Sequence, residues 1–520
     1  MSSRARPTGP GTSSTSGTAS CQARPSSMCR RWPATFTSGR AVRSPGAEAV
    51  ERVDVCVVGG GIAGLSAAYE LHRLGVAFRL FEATDHLGGV ILTESLDGFT
   101  IDGGPDALLA QKPAAIELCR ELGLGDRLQP TLEPRTAYIL KQGRLHPLPE
   151  ASVLGIPTRL APFARTGLFS AWAKLRFGLD LALPPCRLPP SGDESIGAFF
   201  RRRFGPEAVD YLAEPLLATI HAGDVDRLSM RALFPRLLEA EQAGGSLIQT
   251  FRRRRTPAPP DGMFRSLPGG LAELTAALVA TLPTERVSRN ARVETVDQGA
   301  DAPFIVRTAD SVCSASAVIL AAPAPVAAGL LGPRNERLAA LCREIPHAST
   351  ATVALTYPRD AVTHPLRGSG FVVPRVEPDV SIIAATWVSS KWPGRAPADQ
   401  VLLRAFIGGA RDPEVLDRTP DDTALTQLAH TDLARILGIA VAPSLARVYR
   451  WMGRSPQHEV GHLDRLDAIE RRLEETPGLF LTGSSFRSVG IPDCVRDGRA
   501  TARRAVERTP GAAAAGESEG

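Results

Sequence analysis

Lysine and tyrosine are scarce in this 520-residue chain, and no two cysteines stand at C-x-x-C spacing. Its cysteines (Cys21, Cys29, Cys56, Cys119, Cys186, Cys313, Cys342, Cys494) are scattered. That pattern fits reduced thiols in a cytosolic compartment better than a disulfide framework. The histidines show no metal-ligand spacing, so no metal site is expected. There is no run of 18 apolar residues and no signal-peptide apolar core, so no spanning helix is expected. A global excess of one charge is also missing. The net charge is +5, but residues 1–47 hold seven arginines and no acid, which leaves the remainder at −2. A body this close to neutral lacks the basic footprint of a nucleic-acid binder.

What is present is an ordinary globular composition, 43% hydrophobic and 22% charged. The length exceeds one compact core, so two or three domains are expected. Residues 1–50 are rich in Ser, Thr, Pro, Gly and Arg and are expected to be a disordered leader. An acid-poor, Arg- and Ser-rich start resembles an organellar transit peptide. Without a clear amphipathic helix, an over-extended start or a loose tail is the simpler reading. Residues 508–520 are read as a small-residue tail.

The run VDVCVV (53–58) reads as a buried parallel strand. Leu65, Ala68, Leu71 and Leu74 then recur at helical spacing up to Gly75, and VAFRLF (76–81) makes a second strand. Pro113 opens a helix expected over 113–128, and residues 136–149 read as a hairpin turning at Gln142-Gly143. Residues 151–260 read as mostly helical, without strand alternation. Further on, a helix is expected at 270–281, paired strands at 291–297 and 303–308, and a buried strand at 317–322. Several β runs fill 350–410. A helix at 463–475, a strand at 478–482 and a helix at about 493–507 close the pattern.

Three constellations carry chemistry. In Gly59-Gly60-Gly61-Ile62-Ala63-Gly64 the first glycine permits a tight turn, the second lets backbone approach a pyrophosphate, and the third lets helix and strand pack closely. The phosphate then meets free N–H groups and the positive end of a helix dipole. Glu82, followed by Ala83, ends the second strand, where an acid accepts ribose hydroxyls and disfavours a 2′-phosphate. The second constellation is Gly88-Gly89 with Gly103-Gly104-Pro105, an arrangement that suits FAD and that a nicotinamide dehydrogenase does not need. The third, SSFRSVGIPDCVRDG after Thr482-Gly483, returns the chain to the cofactor from its far end. The fold class is α/β, α+β overall, with a Rossmann-type FAD domain.

Together these residues resemble the FAD-dependent porphyrinogen oxidase family of haem biosynthesis, within the amine-oxidase-like flavoproteins. The resemblance spans about 52–507. It is most specific in LHPLP with GIP (145–157), EPLLATIHAGDVDRLSM (214–230), EQAGGSLI (241–248), LPGGLAEL (267–274) and VGIPDC with DGRA (489–500). It implies a discontinuous FAD domain (51–135, 261–342, 461–507), a mixed β-sheet substrate domain (136–150, 343–460) and a helical domain (151–260) able to associate with a membrane. Stretch 151–179 holds Arg159, Arg165, Lys174 and Arg176, without an acid, among Leu, Phe and Trp172. Such a surface suits an anionic interface, or else packs inward with its cations snorkelling out.

The implied reaction removes six electrons from protoporphyrinogen IX or coproporphyrinogen III in three two-electron steps. Hydride passes from a ring carbon to the flavin each time, and dioxygen reoxidises it with release of hydrogen peroxide. The residues give no acid–base pair to nominate, so catalysis is expected to be positional. By carry-over, Arg135 faces a propionate, Val372, Trp387 and Phe406 clamp the ring, and Ala222-Gly223 offer backbone carbonyls to pyrrole N–H groups. Family members often carry leucine where Val372 and Trp387 stand, and Arg135 sits two residues out of register. The flavin is held by Gly59–Gly64, Glu82, Ala83, Gly88, Gly89, Gly104, Pro105, Asp106, Ala107, Val293, Val489, Gly490 and Ile491. The implied partners are the porphyrinogen and dioxygen, with room for peripheral contact at the inner face of the membrane, a neighbouring haem-pathway enzyme and a homodimer. VGIPDC leans toward the coproporphyrinogen branch. The rivals are an amine oxidase, a carotenoid desaturase or a flavin-binding redox protein. Against the first two, Val90 stands where those enzymes usually carry an arginine.

Overall fold

The computed structural model describes residues 50–508 except 150–151, 154, 187–191, 254–260, 299–303 and 488. The leader and the tail therefore lie outside the described residues. Strand Glu51–Val58 sits at the centre of the first sheet, parallel to Phe78–Phe81 on one side and to Val312–Leu320 on the other. Val57 is opposite both Leu80 and Ile319. Both faces of the strand are covered, which is why its sequence is a continuous apolar run. Val287–Ser288 and the antiparallel pair Val293–Gln298 and Phe304–Thr308 extend the sheet outward. Leu479–Leu481 pairs with Val312–Leu320, so both ends of the described chain meet in one sheet.

Helices Ile62–Arg73, Pro113–Glu121, Ala272–Thr281 and Ile491–Glu507 bury one face through Val55, Val57, Ala317 and Ile319. Helices Ala324–Leu330, Glu336–Arg343 and His462–Glu474 bury the other through Cys56, Val58, Val318 and Leu320. The helix expected over 113–128 stops at Glu121, because Gly123 takes a left-handed φ of 74° and only a short turn, Gly125–Arg127, follows.

The second sheet runs, in spatial order, Leu445–Pro456, His347–Pro358, Gln400–Gly408, Ile382–Trp387, Gly370–Val372, Ala137–Lys141 and Arg144–Pro147. The last two are the expected hairpin, with φ of 50° at Gln142 and 72° at Gly143. Two elements were not anticipated: the strand Leu445–Pro456 and the helix Asp422–Leu437. That helix lays Leu425, Ala429, Leu433 and Leu437 on one face of the sheet, which frees the opposite face to look toward the first sheet.

The 151–260 stretch is not purely helical. Ser152–Val153 and Ile156–Pro157 pair as a short ribbon. The helix after Pro206 widens into π turns over Val209–Ala218, where Pro215 cannot donate an N–H. Phe163, Phe169, Phe177 and Phe204 form its aromatic centre, with neighbouring rings 4.8–5.3 Å apart. Beside them the buried Arg203 donates from Nε to Asp180 at 3.0 Å. Asp180 also accepts from Ser246 Oγ (2.7 Å) and Ile248 N (3.0 Å). Removing one partner strands a buried charge. Asp180→Asn is therefore expected to destabilise this region by about 3–5 kcal/mol, read as a lower urea midpoint for its unfolding.

Candidate functional site

The glycine turn is built by close backbone approach. A Cβ on Gly59 would lie 2.7 Å from the Ala321 carbonyl oxygen, and one on Gly64 would lie 1.9 Å from that of Gly59. Gly61, in contrast, has no neighbour nearer than the Gly89 Cα at 4.0 Å, so the space over it is open. Helix Ile62–Arg73 begins there with no side-chain cap and no acid in its first turn. Its first N–H groups, on Ile62, Ala63 and Gly64, and the positive end of its dipole are left for an anion. The Glu82 carboxylate stands against the turn. Oε2 accepts Gly60 N at 2.8 Å, while Oε1 accepts Thr84 N at 2.9 Å and Thr84 Oγ1 at 2.8 Å. A carboxylate has about four acceptor directions, so ribose hydroxyls still find acceptors there. Gly88 N donates to Gly60 O at 2.8 Å, and Gly88 and Gly89 take φ of 122° and 64°. The second glycine pair thus lies on the first.

Residues 288–293 run beside Glu82, whose N–H donates to Ser288 O (2.8 Å) and whose carbonyl accepts Ala291 N (2.9 Å). Val293 is buried at the start of the next strand, on the ribose side of the turn. On the other side, a Cβ on Gly104 would lie 1.8 Å from Val90 O. The Asp106 carboxylate is spoken for by Lys391 Nζ (2.8 Å) and Trp392 Nε1 (3.0 Å), with Arg404 at 3.6 Å. Burial opposes its ionisation, but Lys391 and then Arg404 outweigh that and hold it well below the usual carboxylate range. Its side chain ties the Gly104–Ala107 loop to the second sheet. Arg404 also donates to Gly104 O.

The last helix, Ile491–Glu507, crosses the first so closely that a Cβ on Gly498 would lie 2.2 Å from Ala63 O. Its start at Gly490 carries no side-chain cap, Val489 is exposed and Ile491 is buried. The first helix therefore begins against the second turn of the last, which comes from the opposite end of the chain.

On the second sheet, Val372, Ala384, Phe406, Thr352 and Tyr449 form one cross-strand row. Val372 and Phe406 therefore share a face. Trp387 does not join them. It lies three residues beyond Ala384, opposite Leu403, and an odd offset along a strand turns the side chain to the other face. There it is fully buried, 5.4 Å from the Tyr138 ring and 4.9 Å from that of His364. Ala222 takes a left-handed φ of 50°, and its carbonyl accepts Ala410 N at 2.8 Å, with a second lone pair remaining. Gly223 is buried and donates to Ala218 O at 3.0 Å. Arg135 is partly exposed, with Nη1 3.0 Å from Glu133 Oε1 and Nε 3.2 Å from Thr131 O. Its loop adjoins the Asp106 tie, since Leu132 N donates to Lys391 O at 2.9 Å. Sequence reasoning missed Lys391, Arg404, Tyr449 and Trp451, whose Nε1 donates to Gly103 O at 3.0 Å. The one available signal was Arg404, a cation amid the apolar VLLRAFI.

An uncapped helix start behind a glycine turn, with an acid at the end of the second strand bonded to that turn, is the architecture of a dinucleotide-binding flavoprotein. The chain matches the flavin containing amine oxidoreductases over residues 62–506 and belongs to that family. FAD is its cofactor, and the open space over Gly61 and the acceptors of Glu82 fit it. Among similar proteins, the coproporphyrinogen III oxidase of Bacillus subtilis is 36% identical over 468 residues, covering 87% of this chain and 97% of its own. The chloroplastic protoporphyrinogen oxidase 1 of Spinacia oleracea is 31% identical, covering 88% of this chain and 84% of its own. The crystal structure of a putative protoporphyrinogen oxidase from Exiguobacterium superposes with a TM-score of 0.77 at 33% identity, covering 88% and 99% of the two chains.

Gly64→Ala is expected to yield protein that purifies without flavin absorbance. Gly75→Ala, at a left-handed φ of 68° with nothing within 4 Å, should keep its flavin and lose about 1 kcal/mol of stability. Glu82→Gln is expected to weaken FAD binding to the stripped protein about tenfold, measured by fluorescence titration.

Proposed function

We propose that this protein oxidises a porphyrinogen to the porphyrin in haem biosynthesis, with dioxygen as acceptor and hydrogen peroxide as product. The observation that carries the reading is the likeness to the Bacillus subtilis enzyme, 36% identical over 97% of that relative's length. Bound FAD accepts two electrons at a time as hydride, so three oxidations complete one substrate. The protein's part is to hold a broad apolar disc flat, exclude water and place each ring carbon in turn. The face bearing Val372 and Phe406 suits that task. The Ala222 carbonyl is rigidly aimed by its bond to Ala410 N and suits a pyrrole N–H. Arg135 suits a propionate, because a guanidinium binds a carboxylate in bidentate fashion. VGIPDC favours coproporphyrinogen III over protoporphyrinogen IX. Peroxide release on each substrate, assayed with purified protein, tests both points, and no peroxide with either would sink the reading.

No helix among the described residues is long and apolar enough to cross a membrane. Trp172, Leu175 and Leu179 are nevertheless exposed at helical spacing on 171–181. Arg176 donates to the carbonyls of Arg202 (2.6 Å) and Arg203 (2.8 Å), and so serves the neighbouring helix end. This favours a peripheral surface contact at the inner face of the membrane. Trp172→Glu with Leu175→Glu is expected to abolish co-sedimentation with anionic vesicles and leave turnover of a soluble substrate unchanged. Arg135→Ala is expected to raise KM for the porphyrinogen by about tenfold, and to lower kcat less. An unchanged KM removes Arg135 from the site.

A further inference from the structure

Three histidines grip three consecutive residues of the loop between Leu479–Leu481 and the last helix. His458 Nε2 lies 3.0 Å from Ser484 O, and His462 Nε2 lies 2.9 Å from Phe486 O. His347 Nε2 lies 2.9 Å from Ser485 Oγ, which in turn accepts Ala324 N at 3.0 Å. The His458 and His462 rings stack with centroids 3.9 Å apart and planes 10° apart, and both residues are buried. A carbonyl only accepts, so both rings carry a proton on Nε2. His462 Nδ1 is buried without a hydrogen-bond partner. Protonating it would bury a second N–H donor with no acceptor, against the face of another imidazole.

We infer that the stacked, neutral His458–His462 pair, with His347, is the clamp that seats the Gly483–Phe486 stretch at the flavin. These are positioning residues. The same segment also reaches the opposite wall of the site. Gln457 Nε2 donates to His221 O at 3.0 Å, next to Ala222, and His458 O accepts Ser229 N at 2.9 Å. One short stretch therefore fixes the flavin loop and the corner at Ala222 together.

The clamp works only while neutral. His221, His347 and His462 face His458; Arg465 and Asp193 face His462; Lys112 faces His221 and Arg454 faces His347. Burial, and for His458 then the His462 charge, push His458 down to about 3 and His462 down to about 4. In the unfolded chain both titrate near 6.5, so between about 4 and 6.5 the unfolded chain binds more protons. Stability therefore falls as pH drops through that window, and the clamp itself opens near 4.

The test uses His458→Leu and the double variant His458→Gln/His462→Gln, whose amides keep a donor toward the two carbonyls. FAD affinity of the stripped protein should fall about tenfold or more in the leucine variant and stay within about threefold in the double glutamine variant. Acid release of FAD, followed by flavin fluorescence, should shift to lower pH in the glutamine variant, which lacks both stacked rings. Unchanged affinity in the leucine variant overturns the inference. If that variant does not fold, a release midpoint unmoved by the glutamine pair does so instead. Neither readout involves a porphyrinogen, so failure here leaves the proposed substrate untouched.

Discussion

The close crossing of the first and last helices governs the rest of this structure. A dinucleotide phosphate needs backbone N–H groups that nothing else has claimed. Helix Ile62–Arg73 leaves them by starting without a cap. The last helix lies on the first, and the backbones approach to the point where Gly498 leaves no room for a Cβ beside Ala63. The first sheet collects strands from both ends of the chain and from its middle: the chain leaves the sheet after Phe81, returns at Val287, leaves again after Leu320 and returns at Leu479.

The second sheet must then be held in register against the first, and polar ties do this where apolar packing alone would let the layers slide. Asp102 meets Arg395 at 3.1 Å with both side chains 1% exposed, and Asp106 meets Lys391 and Trp392. Buried pairs contribute little net stability once desolvation is counted. They do make any other arrangement costly, since a shifted sheet would strand several charges at once. Both acids lie on the short stretch that includes Gly103-Gly104, so these ties flank that glycine pair.

Much of this was legible in the sequence, and the failures have physical causes. The glycine turn was readable because its requirements are local, as was the hairpin at Gln142-Gly143. The helix Asp422–Leu437 was also readable and was overlooked: Asp421 caps it by accepting from Thr423 N, its leucines repeat at helical spacing and Gly438 ends it with a left-handed φ of 64°. Trp387 is a different case. Its strand alternates, with Ala384 and Thr386 half-buried and Ala385 and Trp387 buried, but alanine stands on both faces of AATWV and leaves the alternation too faint to show which way the indole turns. Arg404 was beyond reach because the acid that justifies its burial, Asp106, lies on a distant loop. The histidine clamp was equally hidden, since its acceptors are main-chain carbonyls, which leave no mark on a sequence.

Ala222 shows how the two walls of the site depend on each other. A non-glycine residue at a φ of 50° is strained by roughly 1 kcal/mol or more. The strain persists because the Ala222 carbonyl is bonded to Ala410 N and a Cβ on Gly409 would lie 2.6 Å from that carbonyl oxygen. Alanine, unlike glycine, narrows the unfolded ensemble at this corner, so the left-handed geometry is reached with less entropy lost. The corner is thus rigid from two sides: the end of the Gln400–Gly408 strand below and the Gln457–His458 stretch beside it. The Gln457–His458 stretch thus holds both the residue before Ala222 and the loop at Ser484, so two parts of the structure far apart in sequence share one support.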